Sequence, residues 1–285
     1  MKHYLSIKSL LLLPALVLST QAIAQLKPMD DTALEGTVGQ AFIQMDSYVN
    51  ANNNDQISRV TFGQNVKIQA NADSLTLGNL TSTGGGIDIA ATNFSLGHID
   101  TATNTIIPFE FSDPYFEWAT QTDGITNKVD VTGFRIGFGE AKGILQMDMS
   151  SFSGNIEMLL NGSLTSNSAL FTGAGGTQTN KQATYIGVDG GSCTDGTDCV
   201  NLNNIQSLSV ADTDGTSTSD FFLSFQKTTS SWLKGGLTGS TYQNTSKGFF
   251  MNVPTNNSLN ISTTASGTSG MAVEFIDRGV GRWNN

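Results

Sequence analysis

Apolar residues recur at every second position over short stretches of this chain, and Gly, Asn, Ser, Thr and Asp separate the stretches. A period of two places side chains on one face of a β-strand. The clearest alternating segments are Ala41, Ile43 and Met45; Val66, Ile68 and Ala70; Leu75 and Leu77; Ile87 and Ile89; and Phe109 and Phe111. Further candidates lie at 134–138, 144–149, 156–160, 184–188, 205–210, 221–225, 249–253, 259–263 and 271–276. Helical periodicity is almost absent, so the sequence predicts an all-β protein with many short strands.

A weak internal sequence repeat bears on how these strands are arranged. Leu77-Gly78-Asn79-Leu80 is followed nineteen residues later by Leu96-Gly97-His98-Ile99, and each copy closes an alternating segment. Such a period is compatible with stacked coils, although a repeat array normally shows three or more units. The sequence therefore predicts an elongated β-solenoid-like or curved-sheet body, with a β-sandwich as the alternative.

One short N-terminal helix is the most that the sequence allows. Asp30 or Asp31 can cap its start, and Gly36 or Gly39 can end it. We expect the rest of the chain to form strands, turns and loops.

The first residues carry the parts of an export signal. Lys2, His3 and Lys8 make a basic start, an apolar run follows from Leu10 to Leu18, and Ala22-Ile23-Ala24 gives the small-x-small cleavage pattern. The run is shorter than the about 20 apolar residues that a membrane span needs. We therefore expect residues 1–24 to be a cleaved signal peptide. The mature protein is then exported to the periplasm, the outer-membrane surface or an extracellular fibre, with no integral membrane segment.

The mature chain divides by composition into three regions. Residues 25–49 hold the N-terminal motif and first strand, 50–165 form a regular β domain, and 166–285 form a C-terminal β region rich in Gly, Ser and Thr. A boundary near 165–180 is predicted.

The net charge of the mature chain argues against nucleic acids as partners. Removing residues 1–24 from 285 leaves 261, and the signal takes two of 14 basic residues but none of 24 acidic ones, for a net charge of −12. Nucleic acids are bound through clustered Lys and Arg, so they are not expected as partners.

Cys193 and Cys199 are the two cysteines. In an oxidising compartment a pair this close predicts a disulfide around a Gly- and Asp-rich turn, with a free or intermolecular pair as the alternative. The single histidine left after signal removal, His98, cannot complete a Cys/His zinc set.

Acidic residues suggest one candidate ion. Asp212, Asp214 and Asp220 include alternate carboxylates before a glycine, which suits calcium, but the full EF-hand pattern is missing. Asp-Gly runs are also ordinary turn formers, so the same residues fit a plain turn. Calcium is the one candidate cofactor, and otherwise none is expected.

A second function class rests on three other carboxylates. Glu110, Asp113 and Glu117 lie among aromatic residues that could stack on sugar rings, and paired carboxylates perform glycoside hydrolysis. An exported carbohydrate-active hydrolase or lyase is therefore the alternative function. The same stretch also fits core strands around an Asp113-Pro114 turn, and we favour that interpretation and a protein that is not an enzyme.

The junction after the signal resembles a known family. Met29-Asp30-Asp31, Leu34 and Thr37-Val38-Gly39-Gln40-Ala41 look like the start of Fil-type pilus-assembly proteins, which are exported gammaproteobacterial proteins sharing an N-terminal domain of unknown function. The likeness continues through 106–115 and 133–141 and covers about residues 26–165. It brings no catalytic residue. It implies a non-enzymatic component of, or accessory to, a pilus- or fimbria-like surface assembly.

That resemblance suggests how the protein finds its partners. Strand addition is a common mode of bacterial surface assembly. We expect other pilus or cell-surface proteins, or further copies of this chain, as partners. The candidate docking segment comprises Met29, Asp30, Asp31, Leu34, Gly39 and Gln40.

Overall fold

A computed structural model of the chain describes residues 43–78, 85–100, 102–160 and 168–261. In chain order its strands are β1 (Ile43–Val49), β2 (Gln56–Phe62), β3 (Asn65–Ile68), β4 (Ala70–Leu77), β5 (Ile89–Leu96), β6 (His98–Asp100), β7 (Thr105–Ile107), β8 (Phe109–Thr122), β9 (Val129–Phe152), β10 (Gly154–Leu160), β11 (Ser168–Phe171), β12 (Tyr185–Val188), β13 (Cys199–Asn201), β14 (Ser207–Val210), β15 (Phe222–Gln226), β16 (Ser230–Leu233), β17 (Tyr242–Thr245) and β18 (Gly248–Leu259). Short 3₁₀ turns lie at Leu202–Asn204 and Gly236–Thr238. The all-β prediction is confirmed.

Eleven of these strands form one sheet, whose main order is β1-β2-β8-β9-β14-β18-β10. Strand β15 pairs with both β9 and β18, and β14 also pairs with both, so β9, β14, β18 and β15 close a ring. Neighbouring strands in this sheet are antiparallel except β10 and β18, which are parallel. Antiparallel pairing of these strands does not fit the stacked coils of a β-solenoid, which pair in parallel.

The repeated Leu-Gly motifs lie at the ends of two neighbouring strands. Strand β4 ends at Leu77 and β5 ends at Leu96, and the two strands pair antiparallel with Leu77 opposite Ile89. The glycine after each strand has a positive φ, 75° at Gly78 and 83° at Gly97, which lets the chain turn away. The repeat therefore reflects a glycine of positive φ after each strand and does not mark successive coils of a solenoid.

Strand β9 is longer than the sequence pattern predicted. The segments at 134–138 and 144–149 belong to one strand of 24 residues. Its first part pairs with β8 and β15, and its later part pairs with β5 and β14. Gly143, with φ of 150°, lies where a Cβ would come 2.9 Å from Phe109, so the strand stays continuous through a position that favours glycine.

The predicted Asp-Pro turn is wrong, because Asp113 and Pro114 lie inside β8. Asp113 has a φ of 48°, and its amide donates to the carbonyl oxygen of Gln64 at 3.0 Å. Pro114 needs no amide donor and lies directly opposite Phe138. Asp113 and Pro114 form a local irregularity, and both β8 and its partner β9 continue past it.

Two hydrophobic clusters lie against the sheet. The larger cluster joins β5, β8, β9, β10, β14 and β18 and includes Phe109, Leu145, Phe152 and Val253. The smaller cluster is built from Ile57, Ala119, Phe222, Trp232 and Phe250. Trp232 belongs to the β16–β17 hairpin, which covers one face of the sheet.

Residues on both sides of the predicted boundary near 165–180 share the large sheet. Strands β14, β15 and β18 follow that boundary and pair with β9 and β10, which precede it. Strands β11, β12 and β13 form a separate three-stranded sheet within the later region. The predicted N-terminal helix and the strand at 271–276 lie outside the described residues. Within the described ranges, we find no helix with the length and hydrophobicity needed to cross a membrane.

Candidate functional site

A row of three charged residues crosses the middle of the sheet. Arg59 on β2 lies opposite Glu117 on β8, and Glu117 lies opposite Arg135 on β9. Residues directly opposite on adjacent strands project from the same face, so the register alone brings the three side chains together. All three are buried, and the side chain of Glu117 has no exposed surface.

Each carboxylate oxygen of Glu117 is held by one arginine. The Nε atom of Arg59 donates to Oε1 at 2.7 Å, and the Nε atom of Arg135 donates to Oε2 at 2.6 Å. The Nη2 atoms lie at 2.6 and 2.5 Å from the same oxygens but off the line of a hydrogen bond. Oε1 also accepts from the Tyr48 hydroxyl at 3.1 Å. Both oxygens of Glu117 are therefore hydrogen-bonded to an arginine.

Aromatic rings enclose the two guanidinium groups. The Arg59 guanidinium lies 3.9 Å from the centre of the Tyr115 ring, and that of Arg135 lies 4.9 Å from Phe222 and 5.2 Å from Trp232. Such contacts stabilise a cation that has lost its water. Arg135 Nη1 also donates to the carbonyl oxygen of Leu233 at 2.8 Å, which ties the β16–β17 hairpin to the sheet.

The tyrosines beside the cluster stay neutral. Burial, and then the charge of Glu117, raises the pKa of Tyr48 well above its usual value. Burial likewise raises the pKa of Tyr115. A cluster whose acid is fully paired and whose phenols hold their protons is a structural element that joins three strands and a hairpin.

Sequence reasoning singled out Glu117 but missed its two arginine partners. Arg59 is 58 residues away in the chain, so no local pattern connects them. The available signal was a charged residue between large apolar neighbours, as in Phe116-Glu117-Trp118 and Phe134-Arg135-Ile136. A charge at such a position in a strand predicts a buried ionic partner.

The other two proposed catalytic carboxylates lie apart from this cluster. Glu110 is exposed and forms an ion pair with Lys67 at 2.6 Å across β3 and β8. Asp113 is exposed at the irregularity in β8. The structure does not gather the three acids into one site.

The candidate calcium ligands are used in turns. Asp214 accepts from the amide of Thr216 at 2.9 Å, and its hydrogen bonds to Thr216 lower its pKa. Asp220 accepts from the amide of Gly235 at 2.6 Å, and Asp212 is exposed. Among the described residues, no three Asp, Glu, His or Cys side chains are placed to hold a metal ion.

The predicted disulfide is present. Cys193 and Cys199 are joined and buried with Phe171. Cys199 belongs to β13 and lies opposite Gly187 on β12, so the bond fixes the turn beside the three-stranded sheet.

Strand β1 presents three exposed apolar residues at one side of the large sheet. Among the described strands it pairs with β2 alone, so its other edge is open. Ile43, Met45 and Val49 project from the same face and are 52, 74 and 57% exposed. On β8 and β9 that face continues through Phe116 and Phe134, which are 47 and 41% exposed.

The docking residues Met29, Asp30, Asp31, Leu34, Gly39 and Gln40 lie outside the described part of the chain. No family model, curated protein or solved structure matches this sequence.

Proposed function

We propose that this protein is a non-enzymatic, exported component of, or accessory to, a bacterial pilus- or fimbria-like surface assembly. It acts by docking to other proteins through the β1 edge. The export signal and the resemblance of residues 26–165 to Fil-type proteins support the compartment and the class of assembly.

The exposed edge of β1 is the observation that carries this proposal. A free strand edge offers unpaired backbone donors and acceptors to an incoming strand. Folded proteins usually protect such edges with charges or proline, but β1 carries Ile43, Met45 and Val49 on one face at high exposure. Main-chain hydrogen bonds would give affinity, and these three side chains would contact the neighbouring side chains of the partner.

The charged residues also favour docking over catalysis. A glycosidase needs a carboxyl group that can exchange a proton with its substrate. Glu117 is buried and both its oxygens are bound by arginine. Glu110 is exposed and paired with a lysine instead of a second acid. Neither group has the surroundings of a general acid.

A deletion strain tests the proposal. Surface filaments would be counted by electron microscopy, and the complementing protein would be fractionated between periplasm, outer membrane and medium. We expect filament loss without the protein and restoration by wild type. Met45→Lys should fail to restore filaments, because a charge on the β1 edge opposes strand addition.

Ile125→Lys is the matched control, since Ile125 is 94% exposed in the turn between β8 and β9 and is not part of β1. It should restore filaments fully. Unchanged filament number in the deletion strain, together with no co-purified cell-surface protein, would contradict the proposal.

A further inference from the structure

An apolar cavity of about 190 Å³ lies beside the ring of strands. Side chains from five strands line it, including Phe94 on β5, Phe111 on β8, Phe138 on β9, Leu223 on β15 and Met251 on β18. Within the described part of the chain, every side chain that lines it is apolar.

One wall of the cavity is a stack of aromatic rings. Phe111 and Phe138 are stacked with ring centres 4.1 Å apart, and Phe138 is stacked on Phe221 at 5.9 Å. Phe138 is thus held between the other two rings, which limits how far it can rotate into the space.

The cavity is not sealed from solvent. Phe94, Leu96, Ile136, Phe138 and Leu223 line it and are only half-buried. Buried apolar cores would hide such side chains completely. Their partial exposure indicates an opening through which a ligand can enter.

The apolar surface continues beyond the cavity in a straight row. Ile136 and Leu223 line the cavity and are directly opposite each other on β9 and β15. The next row on the same face is Phe134, Phe225 and Phe249, with ring centres 5.8 and 5.0 Å apart. Cavity and row together make an elongated apolar track.

The chemistry of this track defines its ligand. A polar group entering it would lose water without gaining a hydrogen bond, which costs several kcal/mol, roughly 2–7. A hydrocarbon has no such penalty, and an apolar cavity of about 150 Å³ is already large enough for benzene. The elongated shape favours a chain over a single ring.

We propose that this cavity binds the hydrocarbon chain of a single-chain amphiphile. The end of the chain lies among Phe94, Phe138 and Leu223, and the row from Phe134 to Phe249 covers its next carbons. The polar head stays in water. The track lies on the same face of the sheet as Ile43, Met45 and Val49, but the binding of a hydrocarbon chain in it does not depend on the proposed role in surface assembly.

Displacement of a fluorescent probe from the purified mature protein tests the site. The probe is N-phenyl-1-naphthylamine, and the competitors are decanol and decanoate below their aggregation concentrations. We expect one probe per chain and displacement by both competitors within a few-fold, since the shared chain and not the head is bound. Shorter chains should compete progressively less well.

Leu223→Trp fills the cavity and should weaken probe binding at least ten-fold. Phe94→Ala enlarges it and should shift the preference toward longer chains, so it serves as a second variant if the first fails to fold. Ile125→Ser removes an exposed apolar residue elsewhere and should leave binding unchanged. Absence of saturable probe binding would overturn the proposal, and so would equal probe binding by wild type and a folded Leu223→Trp variant. Displacement of the probe by a protein partner but by neither decanol nor decanoate would also overturn it.

Discussion

The Tyr115 ring covers Gly137, its direct partner on the neighbouring strand. A Cβ at Gly137 would lie 2.4 Å from Cζ of Tyr115, well inside contact distance. The ring cannot move away easily, because the Arg59 guanidinium lies on it at 3.9 Å. The glycine therefore makes room for the ring that covers the charged cluster.

Gly137→Ala should destabilise the fold by about 1–3 kcal/mol, since it overpacks a filled site. Chemical denaturation with urea would measure the change in the free energy of unfolding. Gly124→Ala is the control, because nothing lies within 4 Å of a Cβ at that position. Equal stability of the two variants would show that the ring relaxes freely.

Glu117→Gln should destabilise the protein by about 3–5 kcal/mol, because it leaves two buried arginines without a counter-charge. Glu110→Gln breaks an ion pair of the same 2.6 Å length on the same strand, but that pair is exposed. It should change stability by less than about 1 kcal/mol. Thermal and urea unfolding of both variants would measure the contrast, and similar small losses would refute a structural role for the cluster.

Opening the disulfide should have a modest and local effect. Cys193 and Cys199 are six residues apart, and closing so short a loop stabilises the fold by about 2 kcal/mol. The Cys193→Ala/Cys199→Ala variant should lose amide protection in β12 and β13 while β8 and β9 keep theirs. Hydrogen exchange would measure this, and loss of protection throughout the large sheet would contradict it.

Asp220 should make stability depend on pH. Burial raises its pKa above the usual value, with hydrogen bonding to Gly235 and the charge of Lys234 acting in the opposite direction. A raised carboxyl pKa means that its stabilising contribution is complete below the unfolded pKa, near pH 4, and is lost as pH rises through the folded pKa. Asp220→Asn should therefore gain stability relative to wild type between pH 4 and 7, as measured by urea midpoints.

Asp123→Asn is a control in which stability should change with pH in the opposite direction. Hydrogen bonds from the amides of Thr126 and Ile125 lower the pKa of Asp123. Its contribution is present above the unfolded pKa and is lost as pH falls through the folded pKa. Asp123→Asn should lose stability relative to wild type as pH rises from about 3 to 5, and a common trend in both variants would contradict these assignments.

Strand positions could be predicted from the sequence because the period of two is a local property. Phe109 and Phe111 are buried on one face, as their alternation indicated. The pairing of strands could not be predicted, since the contacts that decide it are distant in the chain. Phe134 lies opposite Phe225, for example, and no nearby residue records that choice.

In the candidate site, too, local features could be predicted from the sequence and contacts between distant residues could not. The two cysteines are close in sequence, and a short loop between them is enough to predict their bond. Arg59, Glu117 and Arg135 come together only through the register of three strands. A slip of one residue would send each charge to the opposite face. Chemistry that depends on register is not readable from spacing along the chain.

The shared strand β9 has a consequence for how the molecule unfolds. It supplies hydrogen bonds to β8 and β15 in its first part and to β5 and β14 in its later part. If either half of the sheet separated from β9, the hydrogen bonds lost would lie next to those that β9 makes with the other half. The strands of the large sheet on either side of residue 165 should therefore melt together, as one cooperative unit.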